Sequence, residues 1–278
     1  MTDHSMPSGA GFDATARRPK PTIADAPIEV ALPVRRISSA DLVEALRKGW
    51  ADFMAKPSHI LFLGVIYPVV AVLLMQYSIQ SNLLPLFFPL LAGFAIIGPF
   101  AGIGLYEISR RREIGEEPTW RDAIRVTERL SFRSILGLGV LLMLVFVAWL
   151  FAAAGIYYAL FPEGVPPTLT AFLGQILTTG RGWALIVIGH AVGFVFALAA
   201  FALSVVSFPL LVDRHVRTAA AIRTSIEAVR VNPRVMAIWA AIIAGALMLG
   251  SALLFAGLAV AIPVLAHASW HLYRRVVG

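Results

Sequence analysis

The sequence predicts an all-α, polytopic helical membrane bundle, and three observations carry that prediction. Hydrophobic residues make up 59% of the 278-residue chain and charged residues only 14%, well below the roughly 25% charge of soluble domains. Apolar segments near 58–79, 83–106, 134–161, 183–212 and 234–273 are long enough to cross a bilayer, which takes about 20 apolar residues. All but one of the 23 Lys and Arg residues lie on one side of those segments. Arg17, Arg18, Lys20, Arg35, Arg36, Arg47, Lys48 and Lys56 precede the first span. Arg110, Arg111, Arg112, Arg121, Arg125, Arg129 and Arg133 follow the second, Arg214 to Arg234 follow the fourth, and Arg274 and Arg275 close the chain. The other side carries only Arg181 and Glu163. This positive-inside pattern predicts a cytoplasmic N-terminus.

Taken in order, residues 1–38 are rich in Pro, Gly, Ala, Ser and Asp. They contain too little apolar surface to offset ordering entropy, so a disordered cytoplasmic tail is expected. The tail holds no apolar run, so the first span is expected to act as its own insertion signal. The integral membrane helical domain then covers 39–278. Its first part, Ala45 to Pro57, places Leu46, Trp50 and Phe53 at i, i+4, i+7 on one helical face. Ala221 to Pro233 repeats the pattern in register with Ile222, Ile226 and Val229, and each segment ends in proline at the corner into a span. Thr119 to Arg133 is a fainter third copy, opened by a capping-box-like Thr119-x-x-Asp122. These copies predict three units, each a cytoplasmic interfacial amphipathic helix followed by a membrane hairpin. The alternative is that basic amphipathic linkers recur because loops need them.

The last apolar run decides the number of spans. As one straight helix it would be roughly 60 Å long, twice the hydrocarbon thickness. Gly250-Ser251 and Gly257 offer a turn, giving spans near 234–252 and 255–273 and returning Arg274 and Arg275 to the cytoplasm. Six spans in three hairpins is the expectation, with both termini cytoplasmic; five spans plus a surface helix is the alternative. Gly98 with Gly102, and Gly189 with Gly193, supply small-xxx-small faces for close helix packing.

Composition excludes several classes. With no cysteine there is no disulfide framework, thiolate metal site or cysteine nucleophile. The net charge of +7 is spread over several loops and interleaved with acids such as Asp122, Glu128 and Glu227. It therefore fits topology and anionic lipid head groups at the cytoplasmic face rather than nucleic acid. No phosphate loop, nucleophilic triad or pair of intramembrane carboxylates is present.

Few residues could carry chemistry. His190 is the one ionisable group well inside a span; bonding to a backbone carbonyl or a neighbouring helix is expected, with proton or ligand handling as the alternative. Glu107, with Arg110 and Arg111 three and four residues on, is expected to form a snorkelled ion pair. His267 and His271 share one helical face at i, i+4, a spacing that binds metal when a third ligand is supplied, and Asp213 is the nearest candidate. The HExxH general base is missing and both histidines sit beside Trp270 and Tyr273, so a structural role is expected. No catalytic residue, cofactor or metal is assigned.

Several blocks together resemble a known family. These are Gly49-Trp50-Ala51-Asp52-Phe53; Gly98-Pro99-x-x-Gly102-x-Gly104-Leu105-Tyr106-Glu107-x-Ser109-Arg110-Arg111; Asn232-Pro233; and Pro263-x-x-x-His267-Ala268-x-Trp270-His271-x-Tyr273-Arg274. In that order they resemble a bacterial family of predicted integral membrane proteins, domain of unknown function 2189, over roughly residues 40–275. The resemblance implies an architecture and no activity. A label linking some members to cytochrome c oxidase subunit I does not suit this chain, because that subunit needs several intramembrane histidines for haems and copper. The expected function is a non-catalytic module of the bacterial inner membrane that supports transport, assembly or scaffolding of other membrane components. Its expected partners are the bilayer, another membrane protein or a second copy. A stand-alone small-molecule transporter or channel, with a polar path from Gln76 and Gln175 past His190, is the first alternative. A haem- or metal-binding redox-associated protein is the second.

Overall fold

Every regular element in the described residues is a helix. The computed structural model describes residues 26–55, 60–119, 122 and 131–278. In chain order the helices are α1 (Ser39–Ala55), α2 (Ile60–Gln80), α3 (Leu84–Ala101), α4 (Ile103–Glu113), α5 (Phe132–Leu160), α6 (Leu169–Thr178), α7 (Gly180–Ser204), α8 (Ser207–Asp213), α9 (Thr218–Val231), α10 (Pro233–Ala252) and α11 (Leu258–Val277). Three stretches are long and apolar enough to cross a membrane: Phe132–Leu160, Gly180–Asp213 and Pro233–Ala252. Helices α2, α3 and α11 run 21, 18 and 20 residues. Residues 1–25, the Lys56-Pro57 corner and most of the third amphipathic segment lie outside the described residues.

Two apolar runs expected as continuous spans are broken near the charged end. The run near 83–106 stops at Ala101, and the chain turns at Gly102 into α4. A Cβ on Gly102 would sit 3.3 Å from the Ala266 methyl, so the turn lies tight against α11. The run near 183–212 breaks at Val205 and Val206 into α7 and α8. Pro209, the third residue of α8, has no amide hydrogen to offer the Val205 carbonyl four residues back, and so marks that break. The Val206 amide donates to Ser225 Oγ at 3.2 Å, and the Ser207 hydroxyl reaches Leu203 and Ala221 carbonyls at 2.6 and 3.1 Å. Partners on α9 thus satisfy groups that a break would otherwise leave unpaired.

The last run does divide where its glycines suggested. Helix α10 ends at Ala252 and α11 begins at Leu258, with Leu254 and Phe255 in left-handed conformations at φ 51° and 64°. A Cβ on Gly257 would lie 2.8 Å from Gly250 Cα, so the two helices touch through backbone there. Helix α6 has no counterpart in the sequence reading. Thr168 caps it through the Ala171 amide, and Thr179 caps α7 through the Gly182 amide, each satisfying one orphan donor of a first turn.

The deepest core sits at the charged end. Phe208, Leu210, Leu211 and Val212 of α8 pack there with Trp270, Tyr273 and Val276 of α11 and Ile135 and Leu138 of α5, all at most 1% exposed. Farther along, α5 shows Val140, Leu144 and Phe151 on its surface, α7 shows Val187 and Phe194, and α10 shows Met248 and Leu249. Large apolar side chains facing outward along the long helices suit a hydrocarbon surrounding.

The expected unstructured tail does not extend through residue 38. Residues 26–38 run as an extended strap along α9 and the end of α11. Ile28 forms a parallel bridge with Val216, and its amide and carbonyl bond to His215 and Arg217. The Leu32 amide donates to Thr224 Oγ1, and the Arg35 amide to the Val276 carbonyl. Asn232 holds both ends of the next turn, accepting from Ile37 at 2.9 Å and donating to Arg35 at 3.0 Å. Backbone partners across the fold, invisible in local composition, order this segment.

Helices α1 and α9 bury the same register. The alignment that pairs Ala45 with Ala221 also pairs Gly49 with Ser225 and Asp52 with Ala228, and all six are buried. Their contact faces are therefore the small residues. Trp50, expected in the middle of the apolar face, is 50% exposed.

Candidate functional site

Asp52 is the charged residue on the buried stripe of α1, following Leu42, Ala45 and Gly49 at helical spacing. Gly49 lets α1 approach α11 closely: a Cβ there would stand 2.6 Å from the Ala268 amide nitrogen. That approach sets Asp52 against His271, one turn from His267 on the same face of α11. Helix α4 brings Ser109 and Arg112, also one turn apart.

Three of these four groups close on the carboxylate. Ser109 Oγ donates to Asp52 Oδ2 at 2.6 Å, His271 Nε2 lies 2.8 Å from the same oxygen, and Arg112 Nε donates to Oδ1 at 2.9 Å. His267 Nδ1 lies 2.7 Å from Ser109 Oγ. A hydroxyl has one proton, so with that proton on Asp52 the Ser109 oxygen accepts from Nδ1–H of His267. The result is a chain from His267 through Ser109 to Asp52 and on to His271. Asp52, Ser109 and His267 are buried at 8%, 0% and 4% exposure. Burial opposes the Asp52 charge, but hydrogen bonds from His271 and Ser109 and the neighbouring imidazoles outweigh it and hold the carboxyl below its ordinary value of 3.8.

A ring of ion pairs surrounds this cluster. Glu107 is fully buried and is held by Arg110 at 2.9 Å and Arg111 at 2.8 Å. The expected ion pair is present, though Glu107 is inside the fold rather than snorkelled to its surface. Arg111 also reaches Glu116 and Asp122 at 3.1 and 3.2 Å. Thr119 donates to Asp122 through both amide and hydroxyl, which forms the half of the expected capping motif that runs from Asp122 back to the Thr119 amide. Ser38 makes the same two bonds to Asp41 at the start of α1. Glu113 accepts from Trp270 Nε1 at 3.0 Å and pairs with Arg274 at 3.2 Å.

The three residues nominated as metal ligands do not converge. Asp213 accepts from the Tyr273 hydroxyl at 2.7 Å and pairs with Arg274 at 3.3 Å and Arg214 at 3.5 Å. It faces the side of α11 that carries Tyr273 and Arg274, while His267 and His271 face Ser109 and Asp52. Among the described residues no group of three His, Asp or Glu is arranged to hold a metal. His190 Nδ1 bonds to the Ile186 carbonyl at 2.7 Å, and its ring lies 5.4 Å from that of Phe88. Gln175 accepts from Tyr157 at 3.1 Å, and Gln76 is exposed on α2.

Asp52 and Ser109 were not singled out as site residues from the sequence. A signal existed for each: an acid in register with the small residues of α1, and a serine inside the block around Glu107. What ties them together is tertiary. The blocks containing Gly49, Ser109 and His267 meet in this cluster, while Asn232 pins the strap ahead of α1.

With the geometry established, the comparisons give the class. Residues 87–213 match the model of a family described as predicted integral membrane protein (DUF2189). The resemblance read from the motif blocks is thus borne out over that range. No curated protein and no solved structure matches the chain. This is a helical integral membrane protein of unknown function, and its matched region contains Ser109 and Arg112 but neither Asp52 nor the two histidines.

Proposed function

We propose that this chain is a non-catalytic module of the bacterial inner membrane that supports the transport, assembly or scaffolding of other membrane components. The observation that carries the reading is the closure of the Asp52 cluster. The Asp52 carboxylate and the Ser109 hydroxyl are spent on neighbours within it, and Ser109, which lies beside a histidine and that carboxylate, has no exposed surface. A nucleophile must reach a substrate atom, whereas these residues join α1, α4 and α11. In this reading the cluster is a clasp.

The proposed topology is six spans in three hairpins, α2 with α3, α5 with α7–α8, and α10 with α11. Both termini and the clasp lie on the cytoplasmic side, and α1, the segment from Thr119 and α9 lie at the interface. The matched caps at Ser38 and Thr119, the shared burial register of α1 and α9, and the gathering of Arg-bearing loops around the clasp support it. Crosslinking in native membranes followed by mass spectrometry tests the functional reading, and subunits of a transport or assembly system are the expected catch. Solute flux by the purified chain alone in liposomes, or about one equivalent of haem or metal lost on His267→Ala, would replace it.

A further inference from the structure

A second site lies beside the clasp, and its charges are unevenly spent. A cavity of about 300 Å³ opens between α1 and the ends of α4 and α11, lined by Glu44, Lys48, Glu113, His271, Arg274 and Arg275. Both acids in its wall are already neutralised. Arg47 grips Glu44 through two hydrogen bonds of 2.7 and 2.8 Å, and Glu113 is held by Trp270 and Arg274. Two cations are not matched in the same way. Lys48 Nζ stands 4.0 Å from Glu44, and Arg275 Nε stands 3.7 Å from Asp41, whose other oxygen already takes the Ser38 cap. Both distances exceed a hydrogen bond, and both side chains are about half exposed.

We propose that this cavity binds a phosphate-bearing anion between Lys48 and Arg275. Ammonium and guanidinium together supply a point charge and a planar fork of donors, the pairing that suits tetrahedral phosphate oxygens. The volume admits a phosphate with a small organic substituent. The proposal stands apart from the scaffold reading, since a module of any role could carry such a site. The ligand is either a soluble phosphate compound or the head group of an anionic lipid.

The experiment uses the full chain in uncharged detergent and phosphate-free buffer at fixed ionic strength. Inorganic phosphate is titrated by calorimetry, with chloride as control, and retention of phosphatidylglycerol over phosphatidylcholine is read by native mass spectrometry. Saturable binding in the first arm assigns a soluble source, and selective retention in the second alone assigns the lipid. In either arm Lys48→Met and Arg275→Met should each weaken binding about tenfold, the loss of one charge-assisted hydrogen bond. Lys48→Arg should keep it, and Arg230→Met, the same charge change at an exposed position of α9, should leave it unchanged. Wild-type protein that binds neither probe overturns the proposal without reference to any variant. So does an Arg230→Met loss equal to that of the cavity variants, which would mean diffuse charge attraction only.

Discussion

Asp52 holds together groups from three helices, so its replacement tests the clasp most directly. Asp52→Ala leaves Arg112 without its counter-charge, His271 without its hydrogen-bond partner and Ser109 without its acceptor. Breaking one side of a buried ion pair costs about 3–5 kcal/mol, and a correspondingly lower melting temperature in detergent is the expected outcome. Ser109→Ala removes the link between Asp52 and His267 and should cost about 1–3 kcal/mol, the penalty of unpaired buried polar groups. The sign of the pH effect follows from the lowered carboxyl. A group whose folded pKa lies below its unfolded value adds stability above the unfolded value, here 3.8. That contribution fades as pH falls through the folded value. Wild type should therefore lose its advantage over Asp52→Asn in melts carried below about pH 4, and a constant difference across that range would contradict a charged Asp52.

At the scale of the element, Gly49 governs how closely α1 and α11 pair. In an isolated helix Gly49→Ala would gain up to about 1 kcal/mol in propensity. Here its Cβ meets Ala268 backbone at 2.6 Å, and overpacking of that kind costs about 1–3 kcal/mol. Net destabilisation is expected in thermal melts, with Ala268→Gly restoring part of it. Trp50 tests the other face of α1. If its exposed side meets lipid, Trp50→Asp should weaken membrane stability by roughly 2–3 kcal/mol. Unchanged stability, with Trp50 fluorescence reporting water contact, would remove the interfacial reading. Apart from α6, helix existence was well marked in the sequence here, because apolar runs and caps are local properties. The breaks at Gly102 and at Val205–Val206 were not read from the sequence, although Gly102 and Pro209 mark them locally, and partners on α9 satisfy the groups freed at the second.

For the whole molecule, topology is the measurable consequence of the charge pattern. Fusions near Ile79 and Pro166 should report the periplasm, fusions near Gly115 and Thr218 the cytoplasm, and a C-terminal fluorescent protein should mature. Periplasmic activity at Gly115 would overturn the arrangement. The Glu163–Arg181 pair agrees with it. Helix α5 is 29 residues, about 43 Å of rise, and Glu163 lies just beyond its far end from the clasp.

By itself the sequence determined the class of protein, its helical content, the end where its cations gather and the motif blocks that matter. Those follow from hydropathy, periodicity and charge, which are additive along the chain and need no knowledge of contacts. Only the tertiary structure decided what the blocks do. His267 and His271 share a face by helix geometry alone, yet Asp52 rather than Asp213 meets His271, because Gly49 draws α1 onto Ala268 while Tyr273 and Arg274 hold Asp213. The strap from residue 26 was decided in the same way: its amides are satisfied by Val276, Thr224 and Asn232, residues nearly two hundred positions or more away in the chain. A hydrogen bond is specific to its partner's position, and that position exists only once the helices have packed.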